Sequence, residues 1–127
     1  MTAAVKPGPV LYVDDQRSSV KLFELHFADE FDFEGFTSPA QAIARAKEKN
    51  FALLVADYRM LEMDGLALAQ HFQVHHPNTI RVLYTALDHL EVVHQALESG
   101  LISQVISKPV SLDDVSARLK ALLDAAG

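Results

Sequence analysis

The chain has 127 residues, 50% of them hydrophobic and 22% charged, a balance that suits one globular domain and excludes a disordered or fibrous chain. Its formal charge of −6 excludes a general electrostatic grip on nucleic acid or anionic lipid. It contains no cysteine, which excludes disulfides and thiolate metal sites.

Residues 1–8 carry no periodic pattern and are expected to form a flexible N-terminal segment. "PVLYV" (9–13) reads as a strand, and Val20, Phe23 and Phe27 mark a helix after it. "FDFEGF" (31–36) alternates apolar and polar residues, as an edge strand does. A second helix carries Ala42, Ile43 and Ala46 behind the start signal Ser38-Pro39. "FALLVA" (51–56) and "TIRVLY" (79–84) are nearly continuous in apolar residues, which predicts central strands buried on both faces. Between them Asp64 and Gly65 introduce a helix with Leu66, Leu68, Ala69 and Phe72. Asp88 is expected to open a fourth helix, with Leu90, Val93 and Leu97, closed by Gly100. "ISQVIS" (102–107) is the fifth strand, and a last helix from about Ser111 bears Leu112, Val115, Leu119, Leu122 and Leu123. Residues 125–127 are expected to be a tail.

Five β-α units in succession predict a three-layer α/β/α domain over residues 9–124, with a doubly wound, five-stranded parallel sheet. The opening "TAAVKPGP" lacks the apolar stretch of a signal peptide, and no apolar run approaches the roughly 20 residues that cross a bilayer. The expectation is a soluble cytoplasmic domain with no membrane contact.

In such a sheet, ligands bind beyond the carboxyl ends of the strands. Asp14 and Asp15 follow the first strand, Asp57 the third, Thr85 and Ala86 the fourth, and Lys108 and Pro109 the fifth. Clustered carboxylates repel one another but suit a hard divalent cation such as Mg²⁺, which takes one or two of them and binds phosphate oxygens. One carboxylate can then act as a nucleophile toward phosphorus. Thr85 can donate to a phosphoryl oxygen, and Lys108 supplies a point charge opposite. Taken singly, the aspartates could be helix caps or solvated turn residues; their joint placement argues against that.

"VDD" (13–15), "DYRMLEMDG" (57–65), "TA" (85–86) and "KP" (108–109) together resemble the receiver (CheY-like) domain of two-component response regulators. The resemblance implies a flavodoxin-like fold in which Asp57 is phosphorylated. It implies a Mg²⁺ site made by Asp15, Asp57 and the backbone carbonyl of Arg59, with Asp14 acting mainly through water. Thr85, Ala86 and Lys108 match residues that contact the phosphoryl group, and Pro109 matches a proline usually preceded by a cis peptide bond. The implied partners are a sensor histidine kinase or histidine phosphotransfer protein upstream, and a downstream protein or fused output domain. The implied output surface is the fourth helix, fifth strand and fifth helix, through which a homodimer can also form. Such a domain catalyses only its own phosphorylation and dephosphorylation. The rival readings are a small Mg²⁺-dependent phosphohydrolase with an aspartyl-phosphate and a degenerate receiver that serves as a scaffold.

Three departures from the family pattern stand out. Leu61 replaces a common proline, Val105 occupies the place of a frequent aromatic switch residue, and Arg59 and Leu87 lie two residues beyond Asp57 and Thr85. His71 and His75 have the i, i+4 spacing that can bind metal on a helix. No third ligand is evident in the sequence beside them, so they and His76 are expected to be exposed residues without a metal role.

Overall fold

A computed structural model describes residues 6–108 and 110–126. The elements are β1 (Val10–Val13), α1 (Arg17–Phe27), β2 (Phe33–Phe36), α2 (Pro39–Glu48), β3 (Leu53–Asp57), α3 (Gly65–His75), β4 (Ile80–Thr85), α4 (Glu91–Glu98), β5 (Gln104–Ser107) and α5 (Leu112–Ala126). The strands form one sheet in the order β2-β1-β3-β4-β5, every neighbouring pair parallel. "FDFEGF" does supply an edge strand, and β5 is the other edge.

Alternation along the strands separates two apolar layers. Val10, Tyr12, Leu53, Val55, Val82, Tyr84 and Ile106 meet α1 and α5 through Val20, Phe23, Phe27, Val115 and Leu119. On the other face Leu11, Val13, Leu54 and Ala56 pack on α2 and α3, while Leu83 meets Val93 and Ala96 of α4. This two-sided burial explains why β3 and β4 read as nearly continuous apolar runs.

Helix starts follow the local chemistry. Ser38 Oγ accepts from the Gln41 N–H at 3.3 Å, and Asp64 Oδ1 from the Ala67 N–H at 2.8 Å. Asp88 departs from expectation, because α4 begins at Glu91 behind Leu90, which makes no side-chain cap. The Asp88 carboxylate instead accepts a 2.6 Å hydrogen bond from Ser107 Oγ on β5, so it ties the loop after β4 to the neighbouring strand. Gly100, with φ of 80°, ends the α4 segment in the left-handed region, as expected.

The expected boundaries at residues 9 and 124 both fall inside hydrogen-bonded structure. The Pro7 carbonyl accepts from the Asp32 N–H at 2.9 Å, Lys6 Nζ donates to the Ala28 carbonyl at 2.8 Å, and α5 continues through Ala126. Residues 1–5 and Gly127 lie outside the described residues. The expectation for the histidines needs a correction. His75 is exposed, but His71 and His76 are half-buried, because their rings lie against Phe72.

Candidate functional site

The winding reverses between β1 and β3, and the residues that leave their carboxyl ends share one crevice. Asp14, Asp15 and Asp57 each place a carboxylate oxygen within 4.8 Å of the other two. Asp14 is buried at 1% exposure, whereas Asp15 and Asp57 are partly open. Lys108 enters from the end of β5, with Nζ 3.5 Å from Asp57 Oδ1 and 4.0 Å from Asp14 Oδ2. Two of the three carboxylates thus lie within reach of this ammonium.

Backbone packing sets this geometry. Gly65 starts α3 directly against the end of β3, and a Cβ there would clash with the Asp57 carbonyl oxygen. The Gly65 N–H also donates to the Tyr58 carbonyl at 2.8 Å, which closes the loop after Asp57 on itself. The Lys108 N–H donates to the Thr85 carbonyl at 3.0 Å, fixing the root of the lysine beside β4. Thr85 is buried at 2% exposure, and its hydroxyl accepts from the Leu87 N–H at 3.0 Å. Asp15 Oδ2 accepts from the Leu61 N–H at 3.3 Å. Arg59 is exposed and borders a groove with Asp15, Met60, Leu61 and Leu90.

The charge balance shows in the Asp57 carboxyl group. Burial pushes its pKa above the usual aspartate value, and the charge of Asp14 adds to the rise; the Lys108 ammonium pulls the other way and does not cancel it. An acid held out of water beside a second carboxylate is under-compensated, and its oxygens are hard donors. The set fits a divalent cation such as Mg²⁺.

Sequence reasoning brought together Asp14, Asp15, Asp57, Thr85 and Lys108, and the structure places all five at one edge. Pro109 and the peptide bond before it lie outside the described residues. Val105 is half-buried against the cluster between α3 and α4. Two residues were missed. Tyr12 donates its hydroxyl to Asp14 Oδ2 at 2.8 Å, and burial, followed by the Asp14 charge, holds the phenol far above its ordinary pKa. Tyr84 lies under Lys108, with the ammonium 4.8 Å from the ring centroid. A parity argument could have found Tyr12: it precedes Asp14 by two residues and so shares its face of β1, and a buried tyrosine needs a partner for its hydroxyl.

The family model for the response regulator receiver domain matches residues 10–120. The chain belongs to that family. Among curated proteins, the transcriptional regulatory protein SrrA of Staphylococcus aureus (strain NCTC 8325 / PS 47) is 30% identical over 115 residues, 90% of this chain and 47% of SrrA. The transcriptional regulatory protein ZraR of Escherichia coli (strain K12) is 33% identical over 86 residues, 68% of this chain and 19% of ZraR. The receiver domain therefore spans less than half the length of these relatives. Among solved structures, the receiver domain of the Francisella response regulator 1452 superposes with a TM-score of 0.85 at 24% identity, over 96% of this chain and all of that one. The Vibrio cholerae chemotaxis protein CheY4 gives 0.83 at 20% identity, over 94% of this chain and 100% of that one. Both share the flavodoxin-like architecture of this receiver domain. Among the described residues no helix is long and apolar enough to cross a membrane.

Proposed function

We propose that this receiver domain takes a phosphoryl group onto Asp57 from a phosphohistidine of a sensor histidine kinase or histidine phosphotransfer protein. The observation that carries the reading is the convergence of Asp14, Asp15 and Asp57 in one crevice, with the Lys108 ammonium 3.5 Å from Asp57. In the transfer, an Asp57 carboxylate oxygen forms a bond to phosphorus while the phosphorus–nitrogen bond of the donor breaks, and the imidazole leaves with the electron pair. Lys108 faces the oxygens of the arriving group as a point charge, and Thr85 turns its hydroxyl toward one of them. Asp15, Asp57 and the Arg59 backbone carbonyl would hold Mg²⁺, with Asp14 contributing mainly through water. The cation supplies neutralisation of the carboxylates and of the phosphoryl charge.

The same reading assigns hydrolysis of the mark to a water in line with the Asp57–phosphorus bond, and no turnover of a separate metabolite. It places the domain in the cytoplasm with its donor. Phosphorylation shifts a two-state equilibrium of the surface formed by α4, β5 and α5, and a downstream protein, a fused output domain or a second copy of the chain reads that surface.

Incubation with acetyl phosphate and Mg²⁺, followed by intact mass and peptide mapping, tests the assignment. One adduct on Asp57 that Asp57→Asn abolishes is the expected outcome. Multiple turnover of varied phosphate esters would replace this reading with a phosphohydrolase. Neither adduct nor turnover would leave a scaffold.

A further inference from the structure

We propose that Tyr12 is a positioning residue that holds Lys108 on Asp57 by occupying Asp14, an inference that rests on Asp57 being the phosphoryl acceptor. The phenol is fully buried in β1, its ring stacked on Phe23 at 4.0 Å with the planes 4° apart. The hydroxyl therefore points to one place, and it donates to Asp14 Oδ2 at 2.8 Å. The other oxygen of Asp14 accepts from the Gln16 N–H at 3.0 Å. At 1% exposure Asp14 has almost no water, so the protein itself serves both oxygens.

A buried carboxylate oxygen left without a donor is costly, more so than an exposed one. If the phenol hydroxyl were absent, the nearest cation to Asp14 Oδ2 is the Lys108 ammonium, 4.0 Å away. Its flexible stem lets it close that gap. In doing so it would leave Asp57 Oδ1, now 3.5 Å distant, and the incoming phosphoryl group would lose its facing charge. With Tyr12 in place Asp14 is already served, and Lys108 stays nearer the reacting carboxylate. A phenylalanine at position 12 would keep the ring and its stacking on Phe23; the hydroxyl alone performs this division of labour.

The test compares wild type, Tyr12→Phe, Lys108→Gln and the double variant. Tyr12→Phe keeps the ring and its stacking on Phe23, so it should fold. Phosphorylation by acetyl phosphate with Mg²⁺ is expected to slow about tenfold in Tyr12→Phe, and to change less than about twofold when the same substitution is made in Lys108→Gln. In the metal-free protein, the side-chain ¹⁵N resonance of Lys108 should shift in Tyr12→Phe. Equal rates in wild type and Tyr12→Phe would overturn the proposal. So would equal slowing in both backgrounds, which is what a merely structural tyrosine gives. Should the wild type take no phosphoryl group, the reading of Asp57 fails, and the Lys108 resonance still decides: an unchanged position in Tyr12→Phe rules out the role of Tyr12.

Discussion

Two clusters of charge in this domain are built from similar side chains to opposite effect. At the β2 edge, Glu34 receives Arg45 through both oxygens, at 2.8 and 3.2 Å, and Lys49 at 2.9 Å, while Lys49 also reaches Asp32 at 3.3 Å. Two carboxylates meet two cations, and the Arg45 hydrogen bonds, with help from Lys49, hold the Glu34 carboxyl below its usual range. At the carboxyl ends of the strands three carboxylates meet one lysine, and Asp57 is pushed up instead. The edge cluster is complete in itself and fastens α2 to the sheet. The crevice cluster is left short of positive charge, which is the condition that the proposed cation binding and phosphoryl transfer require.

The largest expected effect that separates the two concerns how long a phosphoryl group survives on Asp57. Leu87, whose N–H donates to the Thr85 hydroxyl, has no side chain that can hydrogen-bond an attacking water. Arg59 is long and exposed beside Asp15, able to lie over the phosphoryl oxygens. Both disfavour in-line attack, so the mark should be long-lived for a receiver. After removal of the donor, the adduct should decay on the order of tenfold faster in Leu87→Gln and in Arg59→Asn, the scale of one positioned polar group. Arg45→Gln, at the edge cluster, should leave decay unchanged. Equal or slower decay in both crevice variants would show that these positions do not guard the site.

A smaller effect concerns the metal. A ligand that binds only the folded state stabilises it by about 1.4 kcal/mol at ten times its Kd, roughly 5 °C in melting temperature for a domain of this size. Wild type and Glu34→Gln should both gain by that order in millimolar Mg²⁺, and Asp15→Ala should lose most of the gain. A melting curve of the wild type that ignores Mg²⁺ would show that the crevice is not a cation site.

Much of this is legible in the sequence. The βα order follows from short β-branched runs separated by helical spacing, and the site follows from the rule that function gathers at the carboxyl ends of parallel strands. Most of what is not legible depends on partners distant in sequence. Asp88 has the form of a helix cap, yet Ser107, 19 residues on, holds its carboxylate, and α4 starts two residues late, behind Leu90. Tyr12 reads as one more core residue of "PVLYV" because composition weighs its ring and not its hydroxyl. Lys6 and Pro7 carry no pattern of their own, and only the approach of Ala28 and Asp32 gives them a place.

The smallest effect, and the one that most directly compares the two clusters, is their response to pH in the metal-free protein. A group whose folded pKa is raised contributes stability that is fully present below its unfolded value and is lost as pH rises through the folded pKa. Asp57 is such a group, so at pH 7 its ionised carboxylate works against folding. Asp57→Asn should melt a few degrees higher than wild type at pH 7. Lowering the pH protonates Asp57, and the advantage should shrink and vanish below the ordinary value of 3.8. Glu34 has the opposite sign: its folded pKa is depressed, so its contribution is present above the ordinary value of 4.5 and is lost as pH falls through the lower folded one. Partial exposure keeps that contribution small, and Glu34→Gln should melt only slightly lower at pH 7. As pH falls from 7 through the raised Asp57 pKa toward 3.8, the Asp57→Asn difference should therefore narrow, while the Glu34→Gln deficit is still level at pH 4.5 and is lost only below it. Thermal melts of the three proteins across that range are the measurement. Parallel profiles for the two variants would mean that the crevice is as well compensated as the edge, and the contrast between a fastening cluster and a reacting one would fall.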